Sequence, residues 1–360
     1  MQRKFPRALK RIVIKVGSSV IAAYKMQPKS AHLSSLVSQI SSLAGIDVIL
    51  VSSGAIVLGM GEFNLKSRPK DLASLQALAA VGQTLLMKGY NELFKRHSRQ
   101  CAQLLLTWDD FNIRERYNNA RTAFQTMLSW GVVPIVNEND TIATDEIKFR
   151  DNDKLSALVA SMVHADLLLI LSDVDGLMDL KGQDNRLLEE IKEITKEIEG
   201  LASGTAKKEM SKGGMTAKLD AVKIATHANI PCIIANGETE NVLLRILKGE
   251  RIGTFFVEKE DKLLARKHWI SFGAKPKGFL TIDEGAKEAL LKGGKSLLLP
   301  GIIGWEGNFK ADDIVVVRDR NCREIARGIV NYSMEELNKV QEKKGKKEAI
   351  HCDNLVLCQR

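Results

Sequence analysis

An open α/β fold, with a mainly parallel sheet between helix layers and a small C-terminal β-barrel, is what this sequence predicts. Three observations predict it. Short β-branched runs alternate with segments of helical spacing over the first 250 residues or so. Those runs are apolar almost throughout, as strands covered on both faces must be. From about residue 263 the texture changes to short runs separated by Gly, Pro and Asp-Asp, the pattern of a small barrel.

The elements follow in order. Ile12 to Val16 is short and β-branched, hence a strand. Pro28 to Ala44 carries Leu33, Leu36, Val37, Ile40 and Leu43 at helical spacing. Asp47 to Val51 is a second strand, and Gly54 to Gly61 and Leu72 to Phe94 are helices. Ala102 to Thr107, Val132 to Val136, Leu167 to Leu171 and Cys232 to Ala235 are further strands with helices between. In the second part, strands are expected at Trp269 to Phe272, Gly278 to Ile282, Ser296 to Pro300 and Ile314 to Val317, with one helix at Asp283 to Leu291. The expected domains are 1–262, 263–345 and a tail, 346–360.

A chain of 360 residues suggests two domains at about 150 residues each. The net charge of +9 favours polyanionic partners, nucleotides and RNA among them. Part of that charge lies in Lys339 to Lys347, which reads as a solvated helix end rather than a binding patch. No apolar run approaches the roughly 18 residues of a membrane span. The apolar run after the basic N-terminus is too short for a signal peptide, so no membrane is implied and a cytoplasmic location is expected. Cys101, Cys232, Cys322, Cys352 and Cys358 show no CxxC spacing, which argues against a disulfide framework or a zinc knuckle. No protein-held metal set is expected.

The densest polar stretch is Val136 to Leu158, with Asn137, Glu138, Asn139, Asp140, Asp151, Asn152 and Asp153 just after an apolar strand. Open α/β sheets bind ligands outside the carboxyl ends of their strands. Amides and carboxylates at such a place suit a small zwitterion. Lys15-Val16-Gly17-Ser18-Ser19 ends a strand in a lysine and continues in small residues that let N–H groups approach a phosphate. Ser52-Ser53-Gly54-Ala55 repeats that logic, and Ser211 to Lys218 places two glycines before a helix with a lysine in an early turn. Each string also serves as an ordinary turn, helix cap or linker. Ser172-Asp173 follows a strand and reads as a turn at the mouth of the sheet. Ala289 to Ser296 imitates a P-loop, but helix precedes it and a strand-like run follows, the wrong order for one.

Taken in this order, the motifs resemble the amino-acid kinase family, and within it the glutamate 5-kinases. The strings that carry the resemblance are Lys15 to Ser19, Ser52 to Ile56, Ala79-Ala80-Val81-Gly82-Gln83, Asn137 to Asp140, Asp151 to Ala157 and Gly213-Gly214-Met215. Residues from about Lys267 to Leu337 resemble a PUA domain, with Gly304 to Phe309 and Ala326-Arg327-Gly328 similar to its late strands. The resemblance implies ATP-dependent phosphorylation of the side-chain carboxylate of L-glutamate, giving L-glutamyl 5-phosphate, the first step of proline biosynthesis. It implies that Lys15 and Lys218 flank the transferred phosphoryl and that Asp153 orients them. Ser53, Asn137, Asp140 and Asn152 would hold glutamate. Lys15, Gly17, Ser18, Ser172, Asp173, Lys212, Gly213, Gly214, Met215, Thr216, Ala217 and Lys218 would hold ATP. Magnesium would bridge the phosphates, carried by ATP and water. The family further implies a homo-oligomer (dimer or tetramer) and proline as feedback inhibitor. Alternatives are another amino-acid kinase with a different acceptor, or RNA binding through the PUA-like domain. Four positions depart from the family pattern: Ser211-Lys212 replaces Gly-Thr before Gly213, Ala217 replaces threonine, and Cys352 stands where arginine is usual.

Overall fold

The computed structural model describes residues 3–21, 30–142, 152–179, 186–204, 214–259, 276–292, 295–339 and 348–357. The expected strand at Trp269 to Phe272 lies outside them, as do Asp151, Lys212, Gly213 and Cys358. The chain forms two compact units, residues 1–259 and 260–360.

In the first unit the elements run β1 (Arg11–Val16), α1 (Ser18–Ile21), α2 (Ser30–Ser41), β2 (Asp47–Ser52), α3 (Ala55–Glu62), α4 (Leu72–Lys95), β3 (Cys101–Leu106), α5 (Asp109–Asn112), α6 (Arg114–Ser129) and β4 (Val133–Glu138). Then come α7 (Asn152–Met162), β5 (Leu167–Ser172), β6 (Met178–Asp179), β7 (Arg186–Leu187), β8 (Glu190–Ile191), α8 (Lys196–Gly204), α9 (Met215–His227), β9 (Cys232–Asn236), α10 (Val242–Leu247) and β10 (Thr254–Phe256). Eight strands form one sheet in the order β3-β4-β2-β1-β5-β9-β10-β8. From β3 to β9 all neighbours are parallel. The expected parallel sheet therefore holds up to β9, where β10 adds antiparallel to it, with β8 parallel to β10 at the edge. The small β6–β7 ribbon was not anticipated.

The core explains these elements. Strands β4 and β5 are buried along their whole length, so both faces must be apolar. One cluster, with Val13, Ile49, Val136, Leu168 and Val222, covers one face. A second, with Ile12, Ile14, Leu50, Tyr90, Phe94 and Leu169, covers the other. Helix α4 starts because the Asp71 carboxylate accepts from the Ser74 N–H at 2.8 Å, a cap worth about 1 kcal/mol. It buries Leu75, Leu78, Leu86, Tyr90 and Phe94 on one face, each contributing roughly 1.5–3 kcal/mol. At Gly59 and Gly82 the α3 and α4 backbones touch: a Cβ on Gly82 would lie 1.7 Å from the Ala55 carbonyl oxygen.

Strand β1 has β2 on one side and β5 on the other. The chain winds through β2, β3 and β4 on the first side, then crosses to β5. This is a topological switch point, where the strand ends splay and leave a crevice. Lys15, Ser52, Glu138 and Ser172 all lie at carboxyl ends of strands around it.

The second unit contains β11 (Gly278–Ile282), α11 (Glu284–Leu291), β12 (Leu297–Leu298), β13 (Ile302–Gly307), β14 (Ile314–Arg318), β15 (Glu324–Ile329), α12 (Met334–Lys339), β16 (Glu348–Ile350) and β17 (Leu355–Leu357). Five strands pair in the order β13-β11-β14-β15-β17, and β12 pairs with β16. Only β11 and β14 pair in parallel within this mainly antiparallel sheet. Residues of both sheets, including Leu280, Leu297, Val315 and Ile350, share one core. The strand expected at Ser296 to Pro300 shortens to two residues, because Pro300 sits in a 3-10 turn. The P-loop imitation is preceded by α11, the order that excludes it.

Candidate active site

Three charged side chains far apart in sequence meet inside the first unit. Lys15 is the penultimate residue of β1, Asp153 is the second residue of α7, and Lys218 lies in the first turn of α9. The Lys15 Nζ is 2.5 Å from Asp153 Oδ1, and the Lys218 Nζ is 3.6 Å from Asp153 Oδ2. All three are buried. The Asp153 carboxylate thus sits between two ammonium groups. Burying lysines is costly, and the shared carboxylate offsets that cost and holds both side chains in place. Two ammonium groups brought together in this way suit a polyphosphate.

An amide cluster adjoins this centre. Asn137 and Glu138 end β4 rather than following it, so the strand ends two residues later than the sequence pattern indicates. Asn152, the first residue of α7, donates its Nδ2 to the Asn137 Oδ1 at 2.7 Å, the Ser53 Oγ at 3.1 Å and the Ser52 carbonyl at 3.2 Å. Asn137 donates in turn to the Gln83 Oε1 at 2.8 Å. Ser52, beneath Ser53, is held by the buried Tyr90 hydroxyl at 2.9 Å. Asp140 stands just past β4, half-buried, and burial pushes its carboxyl up to about 6 against the pull of Arg68. The neighbourhood of Asn137, Asn152 and Ser53 is therefore direct contact.

Around the crevice the nucleotide candidates fall as follows. The Gly17 N–H donates to the Leu171 carbonyl at 3.1 Å, and the Ser53 N–H to the Val16 carbonyl at 3.1 Å. These two N–H groups are spent on joining strand ends. A Cβ at Gly17 would meet only ordinary contacts, 3.4 Å from the Leu171 carbonyl oxygen and 3.9 Å from the Lys15 Nζ. Ser18 is exposed at the start of α1. Ser172 ends β5, buried, and donates to the exposed Asp173 carboxylate at 2.9 Å. Gly214, with no side chain, precedes α9; Met215 is buried, Thr216 exposed and Ala217 half-buried. Lys212 and Gly213 are outside the described residues.

Sequence reasoning quoted Gln83 within a motif and gave it no task, and it missed Tyr90. A glutamine or tyrosine at a helical position reads as solvated face or plain core, and only the close α3–α4 packing turns them toward the strand ends. Among the described residues, metal-capable donors gather once, at His351, Cys352 and Asp353 in the second unit.

Comparison with known proteins agrees with this arrangement. The amino acid kinase family model matches residues 10–236, and the PUA domain model matches residues 278–351. A glutamate 5-kinase of Caldanaerobacter subterraneus subsp. tengcongensis is 46% identical over 366 residues, spanning 97% of this chain and 98% of that protein. The chain belongs to the glutamate 5-kinases of the amino acid kinase family. Other members are similar over comparable lengths. A glutamate 5-kinase of Dictyoglomus turgidum is 47% identical, covering 98% of both chains. One of Geobacter sp. (strain M21) is 40% identical, covering 99% of this chain and all of that one. The second unit accordingly carries the family's PUA domain, and the first its kinase fold. No described helix is long and apolar enough to cross a membrane.

Proposed function

We propose that the crevice at the strand ends transfers the γ-phosphoryl of ATP to the side-chain carboxylate of L-glutamate, producing L-glutamyl 5-phosphate for proline biosynthesis. The observation that carries the mechanism is Asp153 bridging Lys15 and Lys218. Two anions, carboxylate and triphosphate, must approach each other, so the enzyme's task is alignment and positive charge. Lys15 and Lys218 supply the charge, and it counts most as negative charge spreads over the transferred group. Asp153 keeps the two ammonium groups from separating. No general base is required, because the attacking carboxylate is already ionised at neutral pH.

Ser53, Asn137, Asp140 and Asn152 are the proposed glutamate ligands, with Asp140 pairing the substrate ammonium. Gly17, Ser18, Ser172, Asp173 and the segment 212–218 are the proposed nucleotide contacts. Magnesium fits this site as a passenger of the triphosphate: the buried Asp153 carboxylate is engaged by two lysines and is poorly placed to hold a metal. When bound, the ion would neutralise phosphate charge. Membership of the family supports the remaining parts of the proposal: a homo-oligomer, a cytoplasmic location and feedback by proline.

The test is ADP release with ATP and magnesium across a panel of acceptors: glutamate, acetylglutamate, aspartate, carbamate and uridylate. Glutamate is expected to give the highest kcat/KM, and added proline to lower the rate. A higher kcat/KM with another acceptor overturns the substrate assignment. Salt-sensitive RNA affinity with no glutamate-stimulated ADP release would favour the RNA-binding alternative instead.

A further inference from the structure

The motif Ala79 to Gln83 has no role in the mechanism above, yet its last residue is wired into the site. Gln83 is only 8% exposed and lies 54 positions before its partner Asn137. Gly82 puts it there. The α4 backbone at Gly82 lies so close to α3 that a Cβ would be 2.5 Å from the Gly59 nitrogen. That approach brings the next side chain to the end of β4.

The hydrogen bonds run in a fixed direction. Two of the groups at its ends are backbone and cannot exchange roles. The Ser52 carbonyl can only accept, so Asn152 must turn its Nδ2 toward β2. The Glu138 N–H can only donate, and it points at the Asn137 Oδ1 at 2.9 Å. Asn137 therefore presents its oxygen to both Glu138 and Asn152, and its Nδ2 must face the other way. The group it meets there is the Gln83 Oε1 at 2.8 Å. The consequence for Gln83 is a buried Nε2 that finds no acceptor among the described residues. A buried amide donor left without a partner destabilises the fold, whereas an apolar residue of the same shape would not. The glutamine is thus poorly explained by stability and well explained by the acceptor it offers Asn137.

We propose that Gln83 is a positioning residue: through its Oε1 it fixes the amide orientation of Asn137, and through Asn137 that of Asn152, so that both present one set of polar atoms to the acceptor substrate. The proposal rests on the reading of Asn137 and Asn152 as acceptor ligands given above. Gln83 acts through Asn137, so its effect must disappear when Asn137 is gone.

The experiment is a double-mutant cycle on the full chain with Gln83→Met and Asn137→Ala, read as KM for glutamate, KM for ATP and thermal midpoint. Gln83→Met is expected to raise the glutamate KM about tenfold, the size of one lost hydrogen bond. The ATP KM stays within about twofold, and the midpoint changes little, because the variant removes one unpaired buried donor, the Gln83 Nε2, and leaves another, the Asn137 Nδ2. Added to Asn137→Ala, Gln83→Met should change the glutamate KM by less than about twofold. Asn137→Ser replaces Asn137→Ala if the latter fails to fold. Multiplicative effects in the double variant overturn the proposal, as does a lower midpoint with both KM values unmoved. The wild-type acceptor panel comes first. If an acceptor other than glutamate is turned over, the proposed substrate is wrong, and the same cycle on that acceptor still decides the role of Gln83.

Discussion

Replacing Asp153 with asparagine removes a negative charge between two buried ammonium groups. At an effective dielectric of about 20, two unit charges 4 Å apart interact by roughly 4 kcal/mol. Here the contacts are 2.5 and 3.6 Å, and the same side chain serves both lysines. Removing one partner of a buried ion pair costs about 3–5 kcal/mol, most of it from the charge left behind. For a domain of this size each kcal/mol moves the midpoint by about 2–4 °C, so Asp153→Asn should melt on the order of 10 °C lower. ATP carries the missing negative charge. It should therefore raise the midpoint of the variant by more degrees than that of the wild type. The kcat should fall by about a hundredfold or more, because the lysines lose the group that aligns them. Thermal scans with and without ATP, alongside ADP release, read both effects. A variant with the wild-type midpoint and a kcat within threefold would refute the reasoning, since the carboxylate would then be holding nothing.

Further outcomes follow from neighbouring residues. Lys218→Ala should lower kcat by about a hundredfold with little change in glutamate affinity, whereas Asp140→Ala should mainly raise the glutamate KM; steady-state kinetics separate the two, and the reverse pattern rejects the assignment. Burial holds the Asp140 carboxyl up to about 6, and only its ionised form pairs with an ammonium group. The glutamate kcat/KM should accordingly fall about tenfold per pH unit below that value, and Asp140→Asn should lose this dependence. Gly82→Ala would set a methyl 1.7 Å from the Ala55 carbonyl oxygen, so α4 must move away from α3. A loss of about 1–3 kcal/mol in denaturant titration and a raised glutamate KM are expected.

The sheet was legible because its strands are short, β-branched and bounded by turns. Lys15 and the Asn137 to Asp140 string could be placed at strand ends from the pattern alone. The meeting of Lys15, Asp153 and Lys218 was not readable from spacing, since they lie on a strand and two helices separated by long stretches of chain; the family resemblance supplied it. Thr254 to Phe256 escaped notice because three residues within a charged stretch carry no periodicity, and with them the antiparallel edge. In the second unit, the Ile302–Gly307 and Glu324–Ile329 strands carry glycines and charges that mask alternation. Gln83 was hidden for a different reason. Its burial depends on Gly82 admitting a neighbouring helix, a tertiary event that helical periodicity does not encode. The sequence signal for it is a glycine inside a strong helix, directly followed by an amide.

The most direct measurement is product trapping with hydroxylamine, which converts an acyl phosphate into a stable hydroxamate. Glutamate, ATP and magnesium with the full chain should yield the side-chain hydroxamate in step with ADP release, and Lys218→Ala should lower both together by about a hundredfold. ADP released without hydroxamate, or hydroxamate on the α-carboxylate, would contradict phosphoryl transfer to the glutamate side chain at the paired lysines.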